Sequence, residues 1–279
     1  MQLEKQLRKM DRITLLANQN NNISIKGELT SNRFVIDCDK VNKQININIE
    51  ERVRANLLII NMKDNDISLH LAKESSLLIS ILAKNEASNI KIHAELDDYA
   101  EIDAYFADFI VNENHSKIDI DLNGEEAAAA WHLASLSTKK DQKEFDVSVF
   151  HNHKNTYCKL DNYGVCLGES KLTFSGICKI NEGCSGSKAH QNAKIMVFDE
   201  ACKGIAKPIL KIDENDIEAS HAAVVGKIND EHLFYLTSRG LSEEEAKELI
   251  TLGYLKPILH GFDDEEIKQE IEKLIEGRM

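Results

Sequence analysis

Gln44-Ile45-Asn46-Ile47-Asn48-Ile49-Glu50 puts an isoleucine at every second position, with polar residues between. Successive side chains of an extended chain point to opposite faces, so this stretch reads as a strand with one face buried and one in water. Working outward, runs of the same kind fall at residues 57–61, 67–71, 77–82, 90–96, 101–106, 118–122, 129–136 and 145–150, joined by connectors rich in Asn, Asp, Lys and Glu. Starts recur at roughly ten to twelve residues, and every second start at roughly twenty-three, the spacing expected when two short strands and two turns make one coil of a solenoid. An antiparallel sandwich spaces its strands similarly, so periodicity by itself leaves both architectures open. A second block of strands spans residues 155–217, with apolar runs at 163–165, 171–180, 194–198 and 209–212.

The period changes at both ends of the chain. Leu3, Leu7 and Met10 recur at helical spacing in a charged background, which predicts a short amphipathic helix in an N-terminal appendage, residues 1–30. After Gly226 the pattern is helical again. Asp230 is placed to cap a helix ending at Gly240, and Ser242 with Glu245 forms a capping box for a second helix whose apolar stripe is Ala246, Leu249 and Ile250. Beyond Pro257, Asp263 and Glu266 repeat the capping pattern, and Ile267, Ile271, Leu274 and Ile275 make one face of a final helix stopped by Gly277. The expected organisation is therefore a β core over residues 31–226 and a helical domain over residues 227–279.

Composition narrows the function classes. Among 279 residues, 34 are basic and 47 acidic, and the formal charge of −13 repels phosphate backbones and anionic lipid, so neither nucleic acid nor a membrane surface is an expected partner. Residues 1–16 alternate charge with apolar groups and hold no signal-peptide-like run, and no long apolar segment follows, so a cytoplasmic protein is expected. The six cysteines form no C-x-x-C pair, and a chain of this size with 42% hydrophobic residues can build a core without disulfides. No phosphate loop, nucleophile elbow or H-E-x-x-H pair occurs, so this chain is expected to bind no nucleotide and to run no hydrolysis of its own.

One segment carries far more specific information. Ser220-His221-Ala222-Ala223-Val224-Val225-Gly226-Lys227-Ile228 is followed by Glu231, by Leu233-Phe234-Tyr235-Leu236 and by Ser238-Arg239-Gly240. It closely resembles S-H-x-A-x-V-G-x-I-x-x-E-x-L-F-Y-L-x-S-R-G of the SufB/SufD family, the scaffold proteins of iron–sulfur cluster assembly. Asn152-His153, Gly164-Val165, Phe174-Ser175-Gly176-Ile177, His190-Gln191-Asn192, Asp199, Lys207-Pro208-Ile209-Leu210 and Asp213 are similar to the family's motifs in the same order. The likeness covers residues 150–258. It implies a mainly β fold, a right-handed parallel β-helix with a C-terminal α-helical domain, which decides between solenoid and sandwich.

The resemblance also assigns expected roles. A neutral imidazole is a good iron ligand, and His221 is the residue the family motif marks for that use. SufB-type chains carry H-E-A at this point, whereas Ala222 makes this chain SufD-like, and the cysteine expected near the Q-x-N element is absent. A single histidine cannot hold a cluster that needs about four ligands, so a transient iron–sulfur cluster is expected at an interface shared with a SufB-like subunit or a second copy. ATP chemistry then belongs to a SufC-like ABC ATPase docked on residues 231–259, where Glu231, Phe234, Tyr235, Leu249, Tyr254 and Leu255 are the expected contacts; for Phe234 and Leu249, packing against the β core is the favoured alternative. Two other readings stay open: an adaptor with no metal contact, and a β-helix enzyme acting on polysaccharide, against which 6% aromatic content weighs.

The remaining candidates are read from local context. Cys158, Cys166 and Cys178 lie in β-like runs as small core residues. Cys184, in Glu182-Gly183-Cys184-Ser185-Gly186, is the expected exposed thiol, with Cys202 as runner-up. His151 and His153 stand two apart, a spacing compatible with a metal pair, but no third ligand is near and a solvated strand end is the preferred reading.

Overall fold

A computed structural model describes residues 14–15, 21–27 and 33–279. Its strands form two parallel sheets. The first holds β1 (Thr14–Leu15), β3 (Arg33–Asp37), β5 (Arg54–Ile60), β7 (Ser76–Ala83), β9 (Glu101–Asp108), β11 (Ala128–Ser137), β13 (Tyr157–Cys166), β15 (Ser187–Val197) and β17 (Ile217–Lys227). The second holds β2 (Asn22–Ile25), β4 (Gln44–Ile49), β6 (Asp66–Leu71), β8 (Glu86–Leu96), β10 (Val111–Leu122), β12 (Gln142–His151), β14 (Lys171–Ile180) and β16 (Lys203–Ile212). Odd strands pair only with odd and even only with even, so each coil gives one strand to each sheet. That is a parallel β-helix, and the antiparallel alternative is gone.

The alternating isoleucines that start the reading sit in β4, where Ile45, Ile47 and Ile49 are at most 2% exposed and line the space between the sheets. Strand stacking carries this inward row from coil to coil, with Ile47 in register with Ile23 on one side and Leu69 on the other. Burying such a row removes apolar area from water on every coil, and each leucine or isoleucine contributes about 1.5–3 kcal/mol. The coil is not of constant length. Asn48 and His70 are register partners 22 residues apart, but Asp161 and Asn192 are 31 apart. The expected period near twenty-three thus describes the early coils, and later strands are longer.

One corner repeats without glycine. Arg52, Glu74, Tyr99, Glu126 and Asn155 have φ of 60°, 58°, 59°, 55° and 58°, and only Gly186 at 75° ends the series with the residue that this region favours. Each donates its backbone N–H to a carbonyl of the next coil, from Arg52 to Lys73 through to Gly186 to Asp216. A ladder of this kind over-determines a conformation that is costly in isolation.

Three helices follow: α1 (Asp230–Ser238), α2 (Glu243–Leu255) and α3 (Glu265–Glu276). The Ser242–Glu245 capping box is present, but the other two caps shift by one residue. Asn229, not Asp230, caps α1, and Asp264, not Asp263, caps α3 by accepting from Glu266 N at 2.8 Å. Ile267, Ile271 and Ile275 of α3 pack with Ile258, Leu259 and Phe262 onto the outward face of the first sheet, against Leu58, Leu82, Phe109 and Leu136. At Gly261 the chain runs so close to the Tyr105 ring that a Cβ has no room. The end of α2, the turn after it and α3 thus share one apolar cluster with the solenoid. Bonds from Asn56 to Asp263, Lys84 to Glu270, and Arg278 to Phe109 O and Asp141 fasten it along the coils. The helix expected at Leu3, Leu7 and Met10 lies outside the described residues, and β1 and β2 show that the solenoid begins within the span 1–30 assigned to an appendage.

Candidate functional site

β17 and β16 are the last strands of their sheets, and among the described residues no strand stacks on the coil that they complete. Edge strands leave a row of backbone donors and acceptors unpaired. Apolar side chains are left in the open beside them: Ile209 is 41% exposed, Ile212 37%, Val224 56% and Val225 44%. A solenoid end of this kind needs either a cap or a partner.

His221 lies in the middle of this end. β17 pairs in register with β15, so Gln191 stands beside His221, and the row continues inward through Leu160 to Trp131. Gln191 is buried and donates to Ile209 O at 3.0 Å. Ile217 and Ala219, on the same side of β17 as His221, pack onto the core, while His221 itself is exposed. His221 therefore belongs to the inward row of the solenoid and is uncovered only because no further coil follows. Ala222 is in register with Asn192 and points to the opposite face. On that outward face, His190 Nδ1 lies 2.8 Å from Ser220 Oγ and its Nε2 3.7 Å from Glu218. Sequence motifs alone gave no role to Gln191 or Val225; their signal is parity along the strands, which requires the register.

The expected partner contacts divide sharply. Phe234 is 73% exposed, Tyr235 56% and Leu249 49%, and α1 buries no residue, so the packing favoured for Phe234 and Leu249 does not occur. Arg239 stacks over Tyr235 at 5.2 Å. Glu231 is exposed at the start of α1. Leu255 is fully buried in the core under the tail, and half-buried Tyr254 meets Tyr163 edge-on at 5.8 Å. These two pack within the tail and against the solenoid, and the exposed apolar side chains of the tail centre on α1 with one side of α2.

Three expectations about thiols and histidines change. Cys184 is only 2% exposed, its Sγ donating to His151 O at 3.2 Å, because the Gly/Ser turn folds inward at the corner. Cys202 is the less buried of the two and donates to Gly168 O at 3.2 Å. Burial raises both thiols above their ordinary range. His151 and His153 share no face: His151 ends β12 fully buried, and His153 is in the turn beyond it. Cys158, Cys166 and Cys178 are core residues as expected. Among the described residues, no three His, Cys, Asp or Glu side chains are arranged to hold a metal ion, and no helix is long and apolar enough to cross a membrane.

The described residues thus form a parallel β-helix whose last strands are edge strands, with His221 exposed on β17 and α1 unburied after it. Residues 26–254 match the family of the SUF system FeS cluster assembly SufBD core domain, and the chain belongs to the SufB/SufD family. It is similar to the iron–sulfur cluster assembly protein SufD of Bacillus subtilis, 34% identical over 137 residues, which cover 49% of this chain and 31% of that protein. SufB of the same organism is 29% identical over 136 residues, covering 49% and 29%. A SufBD family protein of Mycobacterium tuberculosis is 27% identical over 158 residues, covering 57% and 19%. The matched part of this chain thus spans a third or less of these relatives.

Proposed function

We propose that this chain is a SufD-like scaffold subunit of a SUF-type iron–sulfur assembly complex. The observation that carries the reading is the open terminal coil, which places His221 on an inward row with no strand of the described residues stacked above it. A SufB-like subunit or a second copy closes that coil, and the cluster is cargo held at the shared surface. One imidazole supplies a single ligand, so the partner brings the rest. α1 and the exposed side of α2 grip a SufC-like ABC ATPase, and nucleotide-driven closure of the motors pulls on helices that lead into α3, which is fastened along the first sheet. The family gives no support to a polysaccharide-acting enzyme. An adaptor with no metal contact is the competing reading, favoured by Ala222 and the missing cysteine.

Anaerobic reconstitution with the co-purified partners separates the two. His221→Ala is expected to leave the complex intact by gel filtration and to lower cluster loading roughly tenfold, as loss of a ligand or its support does. Unchanged loading would leave the adaptor reading standing.

The helix surface makes a separate prediction. Phe234→Asp places a charge in the centre of the ATPase contact and is expected to weaken that affinity by about 2–4 kcal/mol, the range of an aromatic hot spot. Because Phe234 touches little of its own chain, the melting temperature should stay within about 1 kcal/mol of equivalent stability. Isothermal titration against the ATPase checks it, and an unaltered Kd would sink the assigned surface.

A further inference from the structure

One coil below the open end, a group of side chains that the interface does not use meets inside the solenoid. Cys158 on β13 and Cys178 on β14 face each other from the two sheets with Sγ atoms 3.3 Å apart. His151 Nε2 is 3.3 Å from Cys158 Sγ, and all three side chains are fully buried. Thr156 Oγ1 lies 2.7 Å from His151 Nδ1, 2.8 Å from Ser187 Oγ and 3.2 Å from His153 O; donating to the serine or the carbonyl, it accepts from His151 Nδ1. An imidazole that is neutral and protonated on Nδ1 has a bare Nε2, which accepts the Cys158 thiol hydrogen. Cys158 Sγ is then free to accept from Cys178. Burial keeps His151 in this neutral form by pushing its pKa down to about 4.

We propose that Cys158 and Cys178 form a dithiol site that a small peroxide converts to an intramolecular disulfide, with His151 as the proton acceptor. The proton passes from Cys158 Sγ to His151 Nε2, and the thiolate attacks one peroxide oxygen. The O–O bond breaks, Cys158 becomes a sulfenic acid, and the departing hydroxide recovers the proton from His151 as water. Cys178 Sγ attacks the sulfenic sulfur, its own proton leaves with the displaced oxygen as a second water, and the S–S bond forms. Two thiols are oxidised by two electrons and one peroxide is reduced to two waters. The sulfurs must close from 3.3 Å to about 2.05 Å. The contact with Cys178 and then burial raise the Cys158 thiol, so the thiolate is scarce and the reaction is slow and confined to oxidants small enough to enter. Cys158 is in register with Ala189, and Ala189 with Ala219, two residues before His221, so the new bond ties the sheets together with one strand, β15, between Cys158 and the terminal β17.

The full chain, reduced and then exposed to hydrogen peroxide, is digested without reductant and read by mass spectrometry. The expected product is a linked peptide pair containing Cys158 and Cys178, lighter by two hydrogens. Cys178→Ser should stop at a Cys158 sulfenic acid that dimedone traps, and His151→Gln should slow linkage at least about tenfold while the folded fraction is unchanged. The inference is overturned if the pair links only after unfolding in urea, if Cys178→Ser yields no trapped sulfenic acid, or if a folded His151→Gln links at the original rate. None of these readouts depends on cluster loading or on a partner chain.

Discussion

Lys143→Ala is expected to destabilise the fold by about 3–5 kcal/mol, the cost of leaving a buried charge without its partner. Lys143 and Asp108 both have 0% side-chain exposure, with Nζ 2.6 Å from Oδ2. Nζ also donates to Leu136 O at 2.8 Å, and Ser135 Oγ donates to the same carboxylate oxygen at 2.7 Å. Burial pulls the Lys143 pKa down, and the nearby Asp108 charge opposes that pull. Alanine at 143 removes the cation, leaves Asp108 in the core and opens a cavity. Asp108→Asn combined with Lys143→Met replaces the pair by neutral groups of similar size, so the double variant should lose far less than the two single losses added. Urea unfolding at neutral pH of the unaltered chain, Asp108→Asn, Lys143→Met and the double variant gives four stabilities, and the double-mutant cycle gives the coupling. Additive losses, or a Lys143→Ala loss below about 1 kcal/mol, would show that the pair is not held as described.

The second large effect is a dependence of stability on pH through His151. An ordinary imidazole titrates near 6.5, and burial holds this one down to about 4. As pH falls below 6.5 the unfolded chain binds a proton that the folded chain refuses, so acid favours unfolding. The loss grows by about 1.4 kcal/mol per pH unit and reaches about 3 kcal/mol near pH 4, below which both states are protonated and it grows no further. His151→Gln removes this contribution while carboxylates titrate as before. Unfolding free energies measured from pH 7 to 4 should therefore run together at the top of the range and diverge by about 3 kcal/mol at the bottom. Parallel curves would contradict a neutral buried His151.

Some of this was open to reading from residue order. The alternation at Ile45, Ile47 and Ile49, the strand 171–180 and the Ser242–Glu245 capping box depend on neighbours within a few positions, and local backbone geometry fixes them. Coil boundaries were harder. Five corners use Arg52, Glu74, Tyr99, Glu126 and Asn155 in the left-handed region where glycine is the usual marker, so the turns carry no local signature and are held by hydrogen bonds to the next coil. Cys184 misled for the same reason, since a Gly/Ser turn tells of a bend and not of its direction.

Sequence by itself determined that this is a repeating strand protein with a helical tail, and its motifs placed it in the SufB/SufD family, because period and motif are properties of the chain taken locally. Tertiary structure alone decided which side chains meet water. Phe234 and Leu249 have the same apolar character as Leu255 and Ile267, yet the first pair is exposed and the second buried. The difference arises because the inner side of α2, the turn after it and α3 fold over the first sheet, whereas α1 and the outer side of α2 have no such face to cover. His221 likewise has an inward row position and an exposed ring at once, a combination that exists only where stacking stops.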